Sequence, residues 1–190
     1  MRCIVTIWML IAFVGSHSQE LLHESPRKLV EGNQIEFFTE KGEINAEGKK
    51  IGDWTEYKPF KTELFDVDES GKKLVKIQGD FLLCFKGFYR NGQNVGDWDV
   101  FAIQTQPDTQ YIRVMIQSFE DGGPSGSAKY FTLSGNIYMS MVMNPSTGIG
   151  IETQYDLKGQ PTFKKGFRNG TQEGLSQTYK EGKLVEEVYY

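Results

Sequence analysis

The apolar residues of the chain follow the alternation of β-strands rather than the spacing of an amphipathic helix. β-Forming residues fill the segments 111–116 and 136–143, and no window of about eleven residues carries an apolar stripe with helical spacing. Glycine-containing turns separate these runs, which leaves strands of about five to seven residues. The pattern therefore predicts an all-β chain with almost no helix.

A glycine motif recurs along the chain at a fixed spacing. Two glycines stand four positions apart, and an aromatic residue follows five positions after the second glycine. The four copies with this spacing are Gly48, Gly52 and Tyr57; Gly92, Gly96 and Phe101; Gly122, Gly126 and Phe131; and Gly170, Gly174 and Tyr179. A fifth copy keeps only Gly150 and Tyr155, and Gly32 with Phe37 makes a degenerate opening copy. Such a repeat indicates an array of similar supersecondary units.

Hairpin turns account for the first glycine of the motif. Tight two-residue turns need positive φ at both central positions and so favour Asn-Gly and Asp-Gly, which occur at 91–92, 121–122 and 169–170. The second glycine lies where we expect the next strand to pass close to a neighbour. Further turns are predicted at Gly42, Gly135, Gly159 and Gly182. The segment 32–190 is thus expected to form an antiparallel meander of β-hairpins.

Two irregularities interrupt the repeat. The wide interval after Gly52 leaves room for another unit, which we expect around the turn at Gly71. The segments 86–92 and 165–170 share one sequence, except that 165–170 is one residue shorter. Because a one-residue change turns later side chains to the other face of a strand, a β-bulge near Tyr89 is expected to absorb it.

The N-terminal segment has the features of a secretory signal peptide. Arg2 precedes an apolar run at 4–14, and small residues follow as far as Ser18, which predicts cleavage of residues 1–18 and a secreted or periplasmic protein. Residues 19–31 are expected to form a linker. The apolar run is shorter than the roughly 20 residues of a membrane-spanning helix, so no membrane span is expected.

After cleavage the chain lacks the residues that many catalytic and metal sites use. It keeps one cysteine, Cys84, and one histidine, His23, so we expect no intramolecular disulfide, no metal site and no cofactor. The net charge of −4 becomes −5 without Arg2, and no dense Lys/Arg cluster is present. Nucleic acid is therefore not an expected partner.

Two Asp-Trp pairs are the candidate functional residues. Asp53 with Trp54 and Asp97 with Trp98 occupy matching positions in two copies of the motif, and paired carboxylates are the working groups of glycosidases. No convergent set of acid, base and nucleophile accompanies them, so no catalytic residue is predicted. The alternative is a structural role, because a hairpin needs neighbours to bury one face. The two indoles would then form one core ladder with the repeat aromatics Tyr57, Phe101, Phe131, Tyr155 and Tyr179.

The same phrases resemble a known repeat family. Residues 91–98, Asn-Gly-Gln-Asn-Val-Gly-Asp-Trp, and 47–54, Glu-Gly-Lys-Lys-Ile-Gly-Asp-Trp, are similar to the Asn-Gly-Lys-x-x-Gly-x-Trp core of the MORN-repeat variant found in bacterial YwqK-type proteins. The resemblance covers most of 32–190. It implies an extended, twisted antiparallel meander of successive β-hairpins, and a non-enzymatic scaffold that binds a protein or a cell-envelope component. The residues leave two alternatives open: a carboxylate-dependent glycan hydrolase or glycan-binding module, and pairing of an open sheet edge with another chain.

Overall fold

The computed structural model describes residues 21–31, 34–104 and 110–190. Over these residues the chain forms 12 β-strands that follow one another in a single antiparallel sheet. The prediction of an all-β meander of successive hairpins is confirmed. The predicted signal peptide at 1–18 and the opening glycine Gly32 lie outside the described residues.

The strands differ widely in length. Their bounds are β1 (Leu21–Glu31), β2 (Gln34–Ile44), β3 (Lys50–Val67), β4 (Lys73–Arg90), β5 (Gln93–Gln104), β6 (Gln110–Glu120), β7 (Gly123–Phe131), β8 (Ile137–Asn144), β9 (Ile149–Tyr155), β10 (Pro161–Arg168), β11 (Thr171–Lys180) and β12 (Lys183–Tyr189). The 18-residue strands β3 and β4 contradict the expected length of five to seven residues.

Two kinds of turn account for most of the described connections between strands. The predicted two-residue turns are confirmed, because Asn91 and Gly92 have φ of 50° and 81°, and the pairs at 121–122 and 169–170 match them closely. A five-residue loop makes the other kind. At 68–72, Asp68 N donates to Lys72 O at 3.0 Å, and the Asp68 carboxylate accepts the Lys72 amide at 3.0 Å. The backbone closes in the same way at 45–49, 132–136 and 156–160.

A bulge follows the first glycine in each of the four full copies of the motif. Three residues of the outgoing strand stand opposite a single residue of the incoming strand. The opposed sets are 52–54 with Gly42, 96–98 with Gly87, 125–127 with Ser118, and 173–175 with Gly166. The second glycine of the motif always lies within the bulge and has positive φ, which explains why that position favours glycine.

A bulge was expected near Tyr89 on β4; the register between β4 and β5 does shift between Lys86 and Phe88, but the extra residues, 96–98, belong to β5. The shorter phrase carries an equivalent bulge, between Lys165 and Phe167 of β10. In the segment that is one residue shorter, the bulge lies one position earlier relative to the second glycine. The outgoing strands therefore keep the same order of side chains on the two faces of the sheet. Residues at corresponding positions after that glycine therefore share a face of the sheet in all four copies.

The register defines two faces of the sheet, because directly opposed residues share a face and successive residues alternate. We call one the tryptophan face; it carries Trp54, Trp98, Leu83 and Val100. The other, the aspartate face, carries Asp53 and Asp97. Buried clusters lie on both faces around β3 to β6. The tryptophan-face residues Leu64, Leu83, Val100 and Ala102 form one cluster, and the aspartate-face residues Tyr57, Leu82, Cys84 and Ile103 form another.

The long β3–β4 hairpin occupies the interval in which another repeat unit was expected. Its turn at 68–72 contains Gly71 as predicted, but the strands on either side pair continuously with each other from Gly52 and Tyr89 to the hairpin tip. The expected extra unit is therefore wrong. The tip contacts the loop between β7 and β8, where Leu133 N donates to Phe65 O at 2.9 Å.

Two local predictions also differ from the structure. Gly42, predicted as a turn, lies inside β2, because its missing side chain makes room for the Trp54 ring: a Cβ there would lie 2.2 Å from Trp54 Cδ2. In the segment predicted as a linker, residues Leu21–Glu31 form β1, which pairs with β2 along its length.

Candidate functional site

Trp54 and Trp98 belong to the core rather than to a ligand surface. Each indole is 2% exposed, so neither can stack on a sugar. With two further rings they form an edge-to-face row across β3 to β6, in which Trp54 meets Tyr89 at 5.8 Å, Tyr89 meets Trp98 at 5.0 Å, and Trp98 meets Phe119 at 6.0 Å. Such contacts stabilise aromatic pairs beyond simple burial.

A buried carboxylate supports this aromatic row. Glu56 is 4% exposed; it accepts hydrogen bonds from Lys50 and from the Tyr89 hydroxyl, the latter at 2.9 Å, and Lys58 lies 3.2 Å away. Burial raises the pKa of Glu56, but these partners outweigh it and leave the pKa below its ordinary value of 4.5. Each charged or hydroxyl group in this cluster is bonded or ion-paired within the protein, so we assign the cluster the structural role of stabilising the aromatic row.

Asp53 and Asp97 are exposed on the aspartate face, on two strands that are not adjacent. Asp53 lies on β3 and Asp97 on β5, with β4 between them. Ser118 Oγ donates a hydrogen bond to Asp97, which engages that carboxylate with a neighbouring strand. Within the described residues, no group of three or more His, Cys, Asp or Glu side chains is placed to hold a metal ion.

The repeat aromatics do not form the single ladder that was considered with the indoles. Tyr57 and Phe101 flank Cys84 on the aspartate face, opposite the indoles. Tyr155 shares a hydrogen bond of 2.9 Å with Ser140, and Tyr179 donates to Gln177 at 2.9 Å. These two rings are therefore oriented by polar contacts within the sheet, while Phe131 lies near the guanidinium of Arg113, 5.8 Å away.

One position of the repeat changes its chemistry along the sheet. The residue immediately after the second glycine lies on the aspartate face, and it is Asp53, Asp97, Ser127 and Leu175 in successive copies. The neighbouring position on the tryptophan face is Trp54, Trp98, Ala128 and Ser176, all buried. At this position of the aspartate face, the side chain thus changes from aspartate in the first two copies to serine in the third and leucine in the fourth.

The apolar end of this face forms a row across β8 to β12, which we call the apolar row: Val142, Ile151, Leu175 and Tyr189. Val142 is directly opposite Ile151, Ile151 is opposite Gly166, and Leu175 is opposite Tyr189. The four apolar side chains are 64%, 55%, 41% and 80% exposed, in chain order. Gly166 keeps the middle of the row flat, and a groove of about 440 Å³ passes over it.

Charged and polar groups border the apolar row. Arg168 pairs with Glu173, with Nε 2.9 Å from the carboxylate, and Gln177 donates to Glu187 at 2.8 Å. Lys164, on the same face, lies 5.4 Å from the centre of the Tyr179 ring. An exposed apolar centre with a rim of both charge signs is the usual composition of a protein-binding surface.

The apolar row ends at β12, the last strand of the sheet. All seven residues of β12 are exposed, and the strand pairs on one side only, with β11. Backbone bonds between Gly174 and Tyr190, of 3.0 and 2.9 Å, hold its end in place. The surface therefore combines an apolar face with an ordered open edge.

Sequence reasoning missed the apolar row, although the residues carried a signal. In the segment 149–151 the pattern Ile-Gly-Ile places two large apolar residues on one face, and Leu175 replaces the aspartate of earlier copies. The signal was hidden because strand pairing, which brings Ile151 beside Val142, cannot be read from the spacing of glycines.

None of the described residues forms a helix long and apolar enough to cross a membrane.

Comparisons with known proteins add no relative. Searches against protein-family models, curated proteins and solved structures find no match to the chain, so the likeness to MORN repeats rests on the motif residues alone.

Proposed function

We propose that the chain is an exported, non-enzymatic repeat protein that binds a protein partner outside the cytoplasm or in the cell envelope. The single observation that carries the proposal is the apolar row on the aspartate face. Val142 and Ile151 lie beside each other and are 64% and 55% exposed. Contact of these side chains with water contributes no stability to the sheet, whereas burial against another surface would.

The form of the surface favours a protein over a glycan as partner. The two indoles are buried, so no tryptophan among the described residues is available to stack on a sugar, and the centre of the row is aliphatic. Tyr189, 80% exposed at the end of the row, suits the aromatic anchors that are enriched at protein interfaces. Ion-paired side chains at the border, Arg168 with Glu173, suit a polar rim that contributes orientation rather than affinity.

A binding comparison tests the proposal. Affinity-tagged wild-type chain is crosslinked in cells that export it, beside the variants Val142→Asp and Ile151→Asp. Both sites are exposed, so neither substitution should change stability by more than about 0.5 kcal/mol. We expect a specific protein adduct with the wild type and a loss of at least about tenfold in its yield with each variant, because a carboxylate would be desolvated in the apolar centre.

Gln172→Asp is the matched control. Gln172 is exposed and lies on the tryptophan face of β11, opposite Phe167, so the same charge is added outside the apolar row. The control should capture the partner as the wild type does. Equal adduct yields for all four proteins, or crosslinks only to polysaccharide, would contradict the proposal.

A further inference from the structure

The β3–β4 hairpin covers a second feature, a cavity of about 460 Å³ on the tryptophan face. Its floor is formed by side chains of β4 to β6, including Leu83, Val100 and Met115. Leu64 and Phe65 of the hairpin lie across this floor, and Tyr130 and Tyr138 close one end. The walls thus come from strands far apart in the chain, and the cavity exists only in the folded sheet.

The hairpin is fastened over the cavity on its far side. Besides the backbone bond between Leu133 and Phe65, the Asp66 carboxylate accepts the amide of Ser134 at 3.0 Å and its hydroxyl at 2.6 Å. The Phe65 ring meets Tyr138 edge to face at 4.6 Å. A covering strand held at its tip leaves a pocket that is open on part of its surface, with room for a single small molecule.

The wall of the cavity carries no unpaired charge among the described residues. Glu63, its one acidic side chain, is paired with Lys73 at 2.6 Å. The hydroxyls of Tyr130 and Tyr138 have no hydrogen-bond partner within the described part of the chain. Burial raises the pKa of both phenols, to about 12 for Tyr138, so both remain protonated near neutral pH and can donate a hydrogen bond.

The size of the cavity is also that of a ligand site. Protein interiors rarely leave voids much larger than a water molecule, and ligand pockets measure roughly 300–1,000 Å³. Water is held stably where two to four polar groups bind each molecule, and among the described residues only Glu63, Tyr130 and Tyr138 bring polar side chains to this lining of about 460 Å³. An apolar molecule satisfies the lining better than water does.

We infer that this cavity binds one small, uncharged, mainly apolar molecule whose carbonyl or hydroxyl oxygen accepts a hydrogen bond from Tyr130 or Tyr138. The inference is independent of the proposed function, because the cavity lies on the tryptophan face and the apolar row on the opposite one. Failure of either would leave the other standing.

Fluorescence titration of the purified chain tests the site. N-Phenyl-1-naphthylamine, a neutral apolar probe, should bind saturably at one site per chain with a blue-shifted emission. Val114→Trp places a large ring in the cavity lining and should weaken binding at least tenfold. Val185→Trp adds the same ring at an exposed position of β12, outside the cavity lining and the apolar row, and should leave binding unchanged. Absence of saturable binding to the wild type, or equal binding to the two variants, would overturn the inference.

A second variant remains informative if Val114→Trp fails to fold. The double substitution Tyr130→Phe and Tyr138→Phe keeps both rings and removes only the hydroxyls. It should weaken binding of a carbonyl-bearing naphthalene, 6-propionyl-2-dimethylaminonaphthalene, by about 3- to 10-fold, while N-phenyl-1-naphthylamine binds as before. The inference of a neutral, hydrogen-bonded ligand would be refuted if the carbonyl probe bound equally to the wild type and the double variant. It would also be refuted if the wild type bound the anionic 1-anilinonaphthalene-8-sulfonate more tightly than N-phenyl-1-naphthylamine.

Discussion

Substituting Gly87 by alanine tests whether the indole row depends on a glycine beneath each tryptophan. A Cβ at Gly87 would lie 2.2 Å from Trp98 Cδ2 and 2.4 Å from its Cγ, far inside van der Waals contact. Gly87 does not have positive φ, so an alanine there meets no backbone strain. The destabilising effect of Gly87→Ala should therefore come mainly from the collision with one ring.

The structure sets limits on the size of this effect. If the sheet shifts to keep Trp98 buried, the cost is that of overpacking, about 1–3 kcal/mol. If the ring is expelled, the cost approaches that of truncating a buried tryptophan, about 3–5 kcal/mol. We expect a loss of about 2–4 kcal/mol in the free energy of unfolding, measured by equilibrium urea denaturation with an unchanged slope.

A double-mutant cycle separates this collision from other effects of the alanine. In a Trp98→Leu background the smaller side chain leaves space above residue 87, so the added cost of Gly87→Ala should fall below about 1 kcal/mol. The reasoning is refuted if Gly87→Ala costs less than about 0.5 kcal/mol in the wild type, or costs the same amount in both backgrounds.

Three further predictions address hydrogen bonds in the same half of the sheet. Trp54→Phe should lower the free energy of unfolding in urea by about 0.5–1.5 kcal/mol more than Trp98→Phe. The Trp54 indole donates to two backbone carbonyls, at 3.0 and 3.2 Å, whereas Trp98 Nε1 is buried without a partner among the described residues. Equal losses for the two variants would contradict this. Glu56 has a pKa lowered below 4.5 in the folded state, so its contribution to stability is present above that pH and is lost as the pH falls through the lowered pKa. Unfolding monitored from pH 7 to 3 should show a loss of stability that Glu56→Gln reduces, and parallel pH curves would be evidence against it. Asp66→Ala removes both bonds to Ser134 and should speed hydrogen exchange of the Ser134 amide about tenfold, with unchanged exchange counting against the proposed fastening of the hairpin tip.

Local chemistry made most of the turns predictable from the sequence. Asn91-Gly92 and Asn169-Gly170 adopt positive φ at both positions, because that turn geometry excludes most other residue pairs. The alternation of apolar residues likewise identified the strands as β-structure. Such features depend on a few neighbouring residues, and the sequence displays those directly.

Features that depend on pairing between distant strands could not be predicted. Gly42 was assigned to a turn because glycine is common in turns, yet its role is to lie under the Trp54 ring. The indoles were candidates for ligand binding because spacing gives the phase of a residue within its repeat and not the burial of its face. The apolar row was missed for the same reason, since Leu175 and Tyr189 become neighbours only through the β11–β12 register.

Site-specific photo-crosslinking tests the central claim, that the apolar row is the binding surface, most directly. A benzophenone amino acid is placed at Ile151, in the centre of the row, or at Gln172, exposed on the tryptophan face, and the exporting cells are irradiated. The account predicts a discrete protein adduct at position 151 with at least about tenfold less at position 172. Adducts of equal yield at the two positions, or an adduct only at position 172, would contradict it.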